Sequence, residues 1–328
     1  MKKLWCVICA AALLCCAGGL VMAQSSGSTY YVSAQGDDDN DGLTEATAFK
    51  TLSYVVLEAV MSDTIKTVTV IGTLNQTSEG HDLDNVFVIT SLWEEAPILI
   101  TGIPNAPSGR RAVLSASGTQ KSCVRVSGSL GLTVRFEHIE ISGSAKFGLE
   151  VGLTTDVTLG PGAVVRNNSG GGVYVYSPKD ELRDLYRSGR LTLDGGVVEN
   201  NKSERTGGGI LVRGAFTMKR GSVRNNRVVP DKNGISGGGG ICIYSKDPVS
   251  IEGGDITGNT AAEGGGIFIS GGSVTMSGGS ISGNTATEAV GGVVVSKGAT
   301  FNQRGGTISG NKASSSTRAD THNILRAQ

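Results

Sequence analysis

The sequence predicts an all-β fold: a right-handed parallel β-helix (a solenoid) of about nine coils with a short N-terminal capping helix. Three observations carry this. A unit built on Gly-Gly, with an aliphatic residue two positions on and Asn five positions on, recurs at intervals of 34, 25, 33, 25 and 27 residues. Each unit contains short runs that are apolar at every second position, too short to be joined by crossover helices. The chain of 328 residues holds 50 Gly but only 7 Pro, so glycine marks tight turns rather than disordered linker.

Residues 1–23 read as an export signal. Lys2 and Lys3 precede an apolar run from Leu4 to Val21, and Val21-Met22-Ala23 reads as a small-residue cleavage site. An uncleaved anchor and lipidation at Cys15 or Cys16 are the competing readings. No other segment is long and apolar enough to span a membrane, so no membrane span is expected after signal removal, and the protein is expected in the periplasm, on the outer surface or outside the cell. Four of the six cysteines fall in the signal, leaving Cys123 and Cys242. About four coils separate these two, near 20 Å, which is beyond disulfide reach, so both are expected as free thiols. The mature chain carries 27 basic and 29 acidic residues, a formal charge of −2, and has no nucleic-acid footprint.

Residues 24–64 read as a strand at Tyr30–Ser33, an acidic loop and a helix over Thr47–Val60. Phe49, Leu52, Val56 and Val60 lie on one side of that helix, suited to covering the open end of a coil stack. Residues 65–312 form the β-helix. Its early strands are irregular: Val68–Ile71, Val86–Ile89, Ile98–Ile100 and Cys123–Val126. The regular units place Gly162, Gly196, Gly221, Gly254, Gly279 and Gly306 at one position, and Asn167, Asn201, Asn226, Asn259, Asn284 and Asn311 five residues later. In-register stacking then puts the amides in a hydrogen-bonded column. Apolar pairs such as Leu191 with Leu193, and Phe216 with Met218, fill the interior. Insertions interrupt the units at Ser177–Gly189, part of which reads as a short helix, and at Val228–Ser236. The polar residues 313–328 read as a tail or partial cap.

Two resemblances follow from these motifs. Residues Tyr30–Ala59, with Gly36-Asp37-Asp38-Asp39-Asn40-Asp41-Gly42 and Phe49-Lys50-Thr51-Leu52, resemble the N-terminal motif of the pectate-lyase-like β-helix superfamily. The Gly-Gly-x-Ile…Asn and Gly-Gly-Gly-Ile units resemble the repeats of chlamydial polymorphic outer-membrane proteins and related treponemal surface proteins. The first resemblance implies the fold, within a superfamily of lyases, hydrolases and adhesins. The second implies surface display and adhesion.

The residues point away from catalysis. A glycosidase needs paired carboxylates on one face, yet Asp156, Asp194, Glu199 and Asp255 fall at different repeat positions. The column Gly160, Asp194, Lys219, Glu252, Ser277, Arg304 reads as a mixed-charge solvated ladder. Glu137, His138, Glu140 and Arg135 are the early-coil candidates for chemistry, with surface charge as the competing reading. Asp37-x-Asp39-x-Asp41-Gly42 begins like a calcium loop but has Ala48 where the bidentate carboxylate belongs, so it reads as a solvated turn. No metal or cofactor is expected. A rank of Thr158, Thr192, Thr217, Ser250, Thr275 and Asn302, with Thr133 ahead of it, faces outward as Thr commonly does in strands.

The most informative column is Tyr174, Leu211, Cys242, Phe268 and Val294, with Arg125 and Glu150 before it. Alternation points these side chains outward, and a long apolar strip marks a contact surface. It is read as the binding site for a glycan or a surface protein. Cover by another part of the chain, such as the insertion around Leu182, Leu185 and Tyr186, and a parity error are the other readings. The expected function is an exported, non-catalytic scaffold of adhesin type, the alternative being a polysaccharide lyase or hydrolase.

Overall fold

A computed structural model describes residues 29–62, 64, 66–75, 85–91, 97–128, 131–229, 237–314 and 323–326. Residues 1–23, read from the sequence as an export signal, with Cys6, Cys9, Cys15 and Cys16, the histidines His81 and His322, and most of the Val228–Ser236 insertion and of the tail lie outside them.

The chain winds as a right-handed parallel β-helix with three faces. Face I runs from Tyr30–Ser33 and Thr67–Ile71 through Leu132–Glu137 and Thr155–Leu159 to Thr300–Gln303. Face II runs from Thr73–Leu74 through Ala112–Ser115, Ile139–Ser142 and Val164–Arg166 to Thr307–Ser309. Face III stacks nine strands, from Asn85–Ser91 to Ile324–Arg326. One strand per turn gives nine coils among the described residues. A small sheet of two-residue strands, Lys202–Ser203 to Lys312–Ala313, lies between faces II and III. In Arg190–Glu199 and Ala215–Arg224 one ten-residue strand crosses from face I to face II. It bends at Gly195 and Gly221, whose φ of 104° and 108° a side chain rarely adopts.

The inward columns fill the tube. Val157, Leu191, Phe216, Val249, Val274 and Phe301 stack on face I and are buried in every coil. Val165, Val198, Val223, Ile256 and Ile281 do the same on face II. Outward residues alternate with them, so a one-residue slip would exchange core for solvent.

The asparagine column is continuous. Asn168, Asn201, Asn226, Asn259 and Asn284 each donate Nδ2 to the Oδ1 of the next, at 2.9–3.0 Å, ending on Asn311. Each Oδ1 from Asn201 onward also accepts the backbone N–H of the Asn below it. Asn311 in turn donates to Oδ1 of Asn323 at 3.1 Å. The first rung corrects the sequence reading: the ladder residue is Asn168, not Asn167. Strand register agrees, pairing Val165 with Val198. The residue just before each rung is left-handed: Asn167, Asn200, Asn225, Gly258, Gly283 and Gly310 have φ of 54–66°. Asn and Gly tolerate that conformation, so Asn167 occupies the bend and Asn168 the column.

Two smaller corrections follow from register. Thr133 pairs with Asp156, and Arg135 with Thr158, so Thr133 does not head the threonine rank. Asp194 pairs with Arg220, not Lys219, because the strand bulges there.

Helix α1, Leu52–Met61, caps the stack with Leu52, Val55, Val56, Ala59 and Val60 buried. It starts five residues later than predicted, because Thr47–Phe49 are held by strand-like bonds. Phe49 N–H donates to Tyr31 and Ser33 N–H to Phe49. The acidic loop shapes this entry. Asp38 Oδ1 accepts from Lys50 N–H at 2.9 Å and Thr51 N–H at 2.8 Å. Asp41 accepts from the Thr47 hydroxyl and Leu43 N–H, which hold its carboxyl below the usual range. At the far end, Ile324–Arg326 adds a strand to face III beside Val293–Val295, so that part of the tail extends the stack. Among the described residues no helix is long and apolar enough to cross a membrane.

Candidate functional site

The outward column of face III changes character along the axis. Register runs Val88, Arg125, Glu150, Tyr174, Leu211, Cys242, Phe268, Val294 and Leu325. The upper part is covered by this chain. Cys242, Phe268 and Val294 are at most 5 % exposed and form a second apolar cluster with Ala289 and Val290. Leu211, Tyr244 and Leu325 pack partly against it. The covering segment is tied down where Glu288 and Ala289 N–H donate to the Ala262 carbonyl, and Gly237 backbone lies against the Phe268 ring. The expected exposure of Cys242, Phe268 and Val294 is therefore corrected: an outward strand position beneath the 287–292 connection becomes a second interior. The Ser177–Gly189 insertion is not the cover. Its short 3₁₀ turn, Asp180–Leu182, is tied elsewhere, Arg183 to Asp247 at 3.2 Å and Asp180 to Lys246 at 2.7 Å, and Leu185 and Tyr186 are exposed.

The lower part of the column opens into a shallow pocket of about 350 Å³ with Arg125, Phe147, Glu150, Tyr174 and Tyr176 in its walls. Stacking of strands Ser122–Gly128, Leu149–Val151 and Val173–Val175 brings these side chains from three successive coils together. Tyr174 and Tyr176 share a face because they are two residues apart in an extended chain. Their ring centroids are 4.0 Å apart, and Phe147 continues the row 5.1 Å from Tyr174. Phe147 lies over Gly171, where a Cβ would come within 2.6 Å of the ring. Glycine there is what leaves room for the ring.

At the base of this row is Glu150, only 5 % exposed. Its carboxylate accepts from Ser122 Oγ at 2.6 Å and from the Tyr176 hydroxyl at 3.1 Å. Arg125 lies 3.8 Å from it and over the Tyr176 ring, 5.6 Å from the centroid. Burial, and then the Glu150 carboxylate, push the Tyr176 phenol well above its ordinary value, with Arg125 opposing. Burial does the same to Tyr174. Both phenols are thus neutral donors at physiological pH. The arrangement offers the outer side of a tilted aromatic stack, a carboxylate acceptor fixed by Ser122 and Tyr176, the Tyr174 phenol and one guanidinium. That is the equipment for holding a polyhydroxylated ring, whose C–H face stacks and whose hydroxyls bond at the edge.

Of the residues singled out from sequence, Tyr174 belongs to this pocket and Leu211 borders the covered cluster. Phe147 and Tyr176 were missed, although Tyr174-x-Tyr176 carries the period-2 signal that places both on one face. The four early-coil candidates are split: His138 and Glu140 line one corner hollow, apart from Arg135 and Glu137. Arg135 binds Glu137 at 2.6 Å and Asp194 at 3.3 Å on face I, while Glu140 binds Arg166 at 2.6 Å on face II. Glu199 continues that second network to Arg224 at 2.8 Å. Among the described residues no three His, Cys, Asp or Glu side chains come together at metal-binding range. Cys123 and Cys242 are free and buried.

No family model matches the chain, and no curated protein matches it. Among solved structures, pectate lyase Pel9A superposes with a TM-score of 0.54 at 14 % identity, over 93 % of this chain and 79 % of that one. At that identity the likeness is one of fold, and it is the parallel β-helix that the two chains share.

Proposed function

We propose that this protein is an exported, non-catalytic β-helix scaffold that binds a glycan through the Phe147–Tyr174–Tyr176 row. The observation that carries the reading is the tyrosine pair, centroids 4.0 Å apart, set over the buried carboxylate of Glu150. A rigid stacked platform costs little ordering entropy on binding, and a repeat scaffold holds it without a mobile loop. The charged groups of faces I and II support a binding module over an enzyme. Glu137, Glu140, Asp194 and Glu199 each lie within 3.3 Å of an arginine nitrogen, so these carboxylates are engaged in ion pairs rather than poised as acid and base. The repeats' resemblance to surface proteins fits display at the cell surface in an adhesin-like role. Protease shaving of intact cells tests that location.

The binding test is a glycan array followed by calorimetry on the best ligand. Tyr174→Ala and Tyr176→Ala should each weaken binding about tenfold or more, given what aromatic stacking contributes. Retention of full affinity in both variants refutes the site. The enzyme reading has its own test, a panel of polysaccharides with and without calcium. Reproducible cleavage abolished by one Asp or Glu substitution would replace the proposal with a lyase or hydrolase.

A further inference from the structure

We infer a second ligand site, for a tetrahedral oxyanion of the phosphate or sulfate class, at the corner between faces I and II. A hollow of about 290 Å³ opens there, with Arg111, His138, Glu140, Gly162 and Arg166 in its wall. It does not involve the aromatic pocket of face III, and it stands whether or not that pocket binds a glycan.

Three successive coils build it. Ala112 pairs with Ile139 and Val113 with Glu140, and Glu140 then pairs with Val164. Arg111 and His138 are thus vertical neighbours, with Gly162 the next position up, at about 4.8 Å per coil. The corner backbone is held unusually: Asn105, His138 and Gly162 all have positive φ, at 56°, 48° and 72°. For a histidine that conformation is uncommon, and such residues cluster at ligand sites. Gly162 keeps the imidazole clear, since a Cβ there would lie 2.5 Å from His138 Nδ1.

The donors around the hollow outnumber their partners. Arg111 is exposed and, among the described residues, forms no ion pair or side-chain hydrogen bond, and the His138 imidazole likewise has no partner. Arg166 binds Glu140 through one terminal nitrogen at 2.6 Å and approaches Glu199 at 4.0 Å through the other, yet its Nε is buried and unpaired. The buried Nε of Arg166 thus shares this wall with two donors that have no protein partner, and buried donors are normally bonded. Arg166 is engaged by Glu140 and approached by Glu199, which Arg224 also binds, so the guanidinium without a carboxylate partner in the wall is that of Arg111. An anion there gains Arg111 and the imidazole without displacing a protein partner from either. Because the three donors come from three stacked coils rather than one plane, an oxyanion with oxygens in several directions suits them better than a flat carboxylate.

The test uses the mature chain with inorganic phosphate, inorganic sulfate and acetate as separate probes, read by calorimetry and by the imidazole resonances in NMR. His138→Asn, which tolerates the left-handed backbone, assigns the His138 signal among the three histidines. Saturable phosphate or sulfate binding that shifts the His138 resonance is expected. Arg111→Gln should weaken it about tenfold to a hundredfold, the range for a charged hydrogen bond. Arg205→Gln, the same charge change at an exposed position outside the hollow, should leave it unaltered. The inference is overturned if neither anion saturates, if acetate binds as tightly as both, or if Arg205→Gln weakens binding as much as Arg111→Gln.

Discussion

Changing one rung of the amide ladder from Asn to Asp swaps a donor for an acceptor at a point with no room for either water or charge. Asn259 is fully buried. Its Nδ2 donates to the Val223 carbonyl at 2.9 Å and to Asn284 Oδ1 at 3.0 Å. Its Oδ1 accepts from Asn226 N–H at 2.9 Å and Asn226 Nδ2 at 3.0 Å. In Asn259→Asp an oxygen replaces Nδ2 and faces two acceptors. Only the protonated acid can keep one of those bonds, so the folded-state pKa of the new carboxyl must be raised. A raised pKa contributes stability that is present below the unfolded value, about 3.9, and is lost as pH rises above it. The destabilisation relative to the parent should therefore grow by up to about 1.4 kcal/mol per pH unit above pH 4. It should level off when the buried charge is accommodated or the coil opens. Near neutral pH a cost of about 3–5 kcal/mol is expected, typical of leaving a buried charge or a broken polar network. Urea unfolding of parent and variant at pH 4.5 and pH 7.5 measures it through the difference in midpoints. A pH-independent difference, or one below about 1 kcal/mol at pH 7.5, would refute the reasoning.

Other outcomes follow from the same geometry. Asn225→Gly, at a left-handed bend where later coils carry glycine, should change stability by less than about 1 kcal/mol, in contrast to any change at Asn226 beside it. Cys123 and Cys242 should resist a thiol reagent in the native protein and react on unfolding. Burial pushes the Cys242 thiol up to about 12 and that of Cys123 higher still, and prompt native labelling of either contradicts the packing. In Glu150→Gln, loss of the carboxylate should lower the pH at which Tyr176 ionises, seen in ultraviolet titration. Burial remains the larger cause, so the phenol should still titrate above free tyrosine. Asp194→Asn should cost no more than about 1 kcal/mol. Arg220 and then Arg135 hold the Asp194 carboxyl below its ordinary value, giving stability that is present above about pH 3.9 and lost as pH falls, but the pair with Arg220 is largely solvated.

Much of the architecture was legible because a parallel β-helix writes itself as a period. The Gly-Gly…Asn units mark the corners, period-2 pairs such as Leu191 and Leu193 mark the inward face, and Asn201 to Asn311 mark the ladder. Register was legible through Arg125, Glu150, Tyr174 and Leu211. It failed by one residue at Asn167, because spacing was counted from the glycine. The better signal was the pair itself: an Asn or Gly that can take a left-handed bend, followed by the rung. The N-terminal cap was recognised as apolar on one side, but its start was misplaced, since Phe49 answers to Tyr31 across the chain and not to its helical neighbours.

What the sequence alone determined was most of what repeats: coil length, inward parity, the amide column from Asn201 onward and the separation of the two thiols. Those follow from local alternation multiplied by stacking, which is a nearest-neighbour rule. Only the tertiary structure decided where one column is open and where it is closed. Phe268 and Val294 obey the same alternation as Tyr174, yet Ala289 and Val290 fold back over them while Tyr174 stays half-exposed. Whether an outward side chain meets water depends on the path of a loop whose residues carry no period. The aromatic pocket on face III and the cationic hollow at the face I–II corner both arise from such placements, which is why neither could be counted off along the chain.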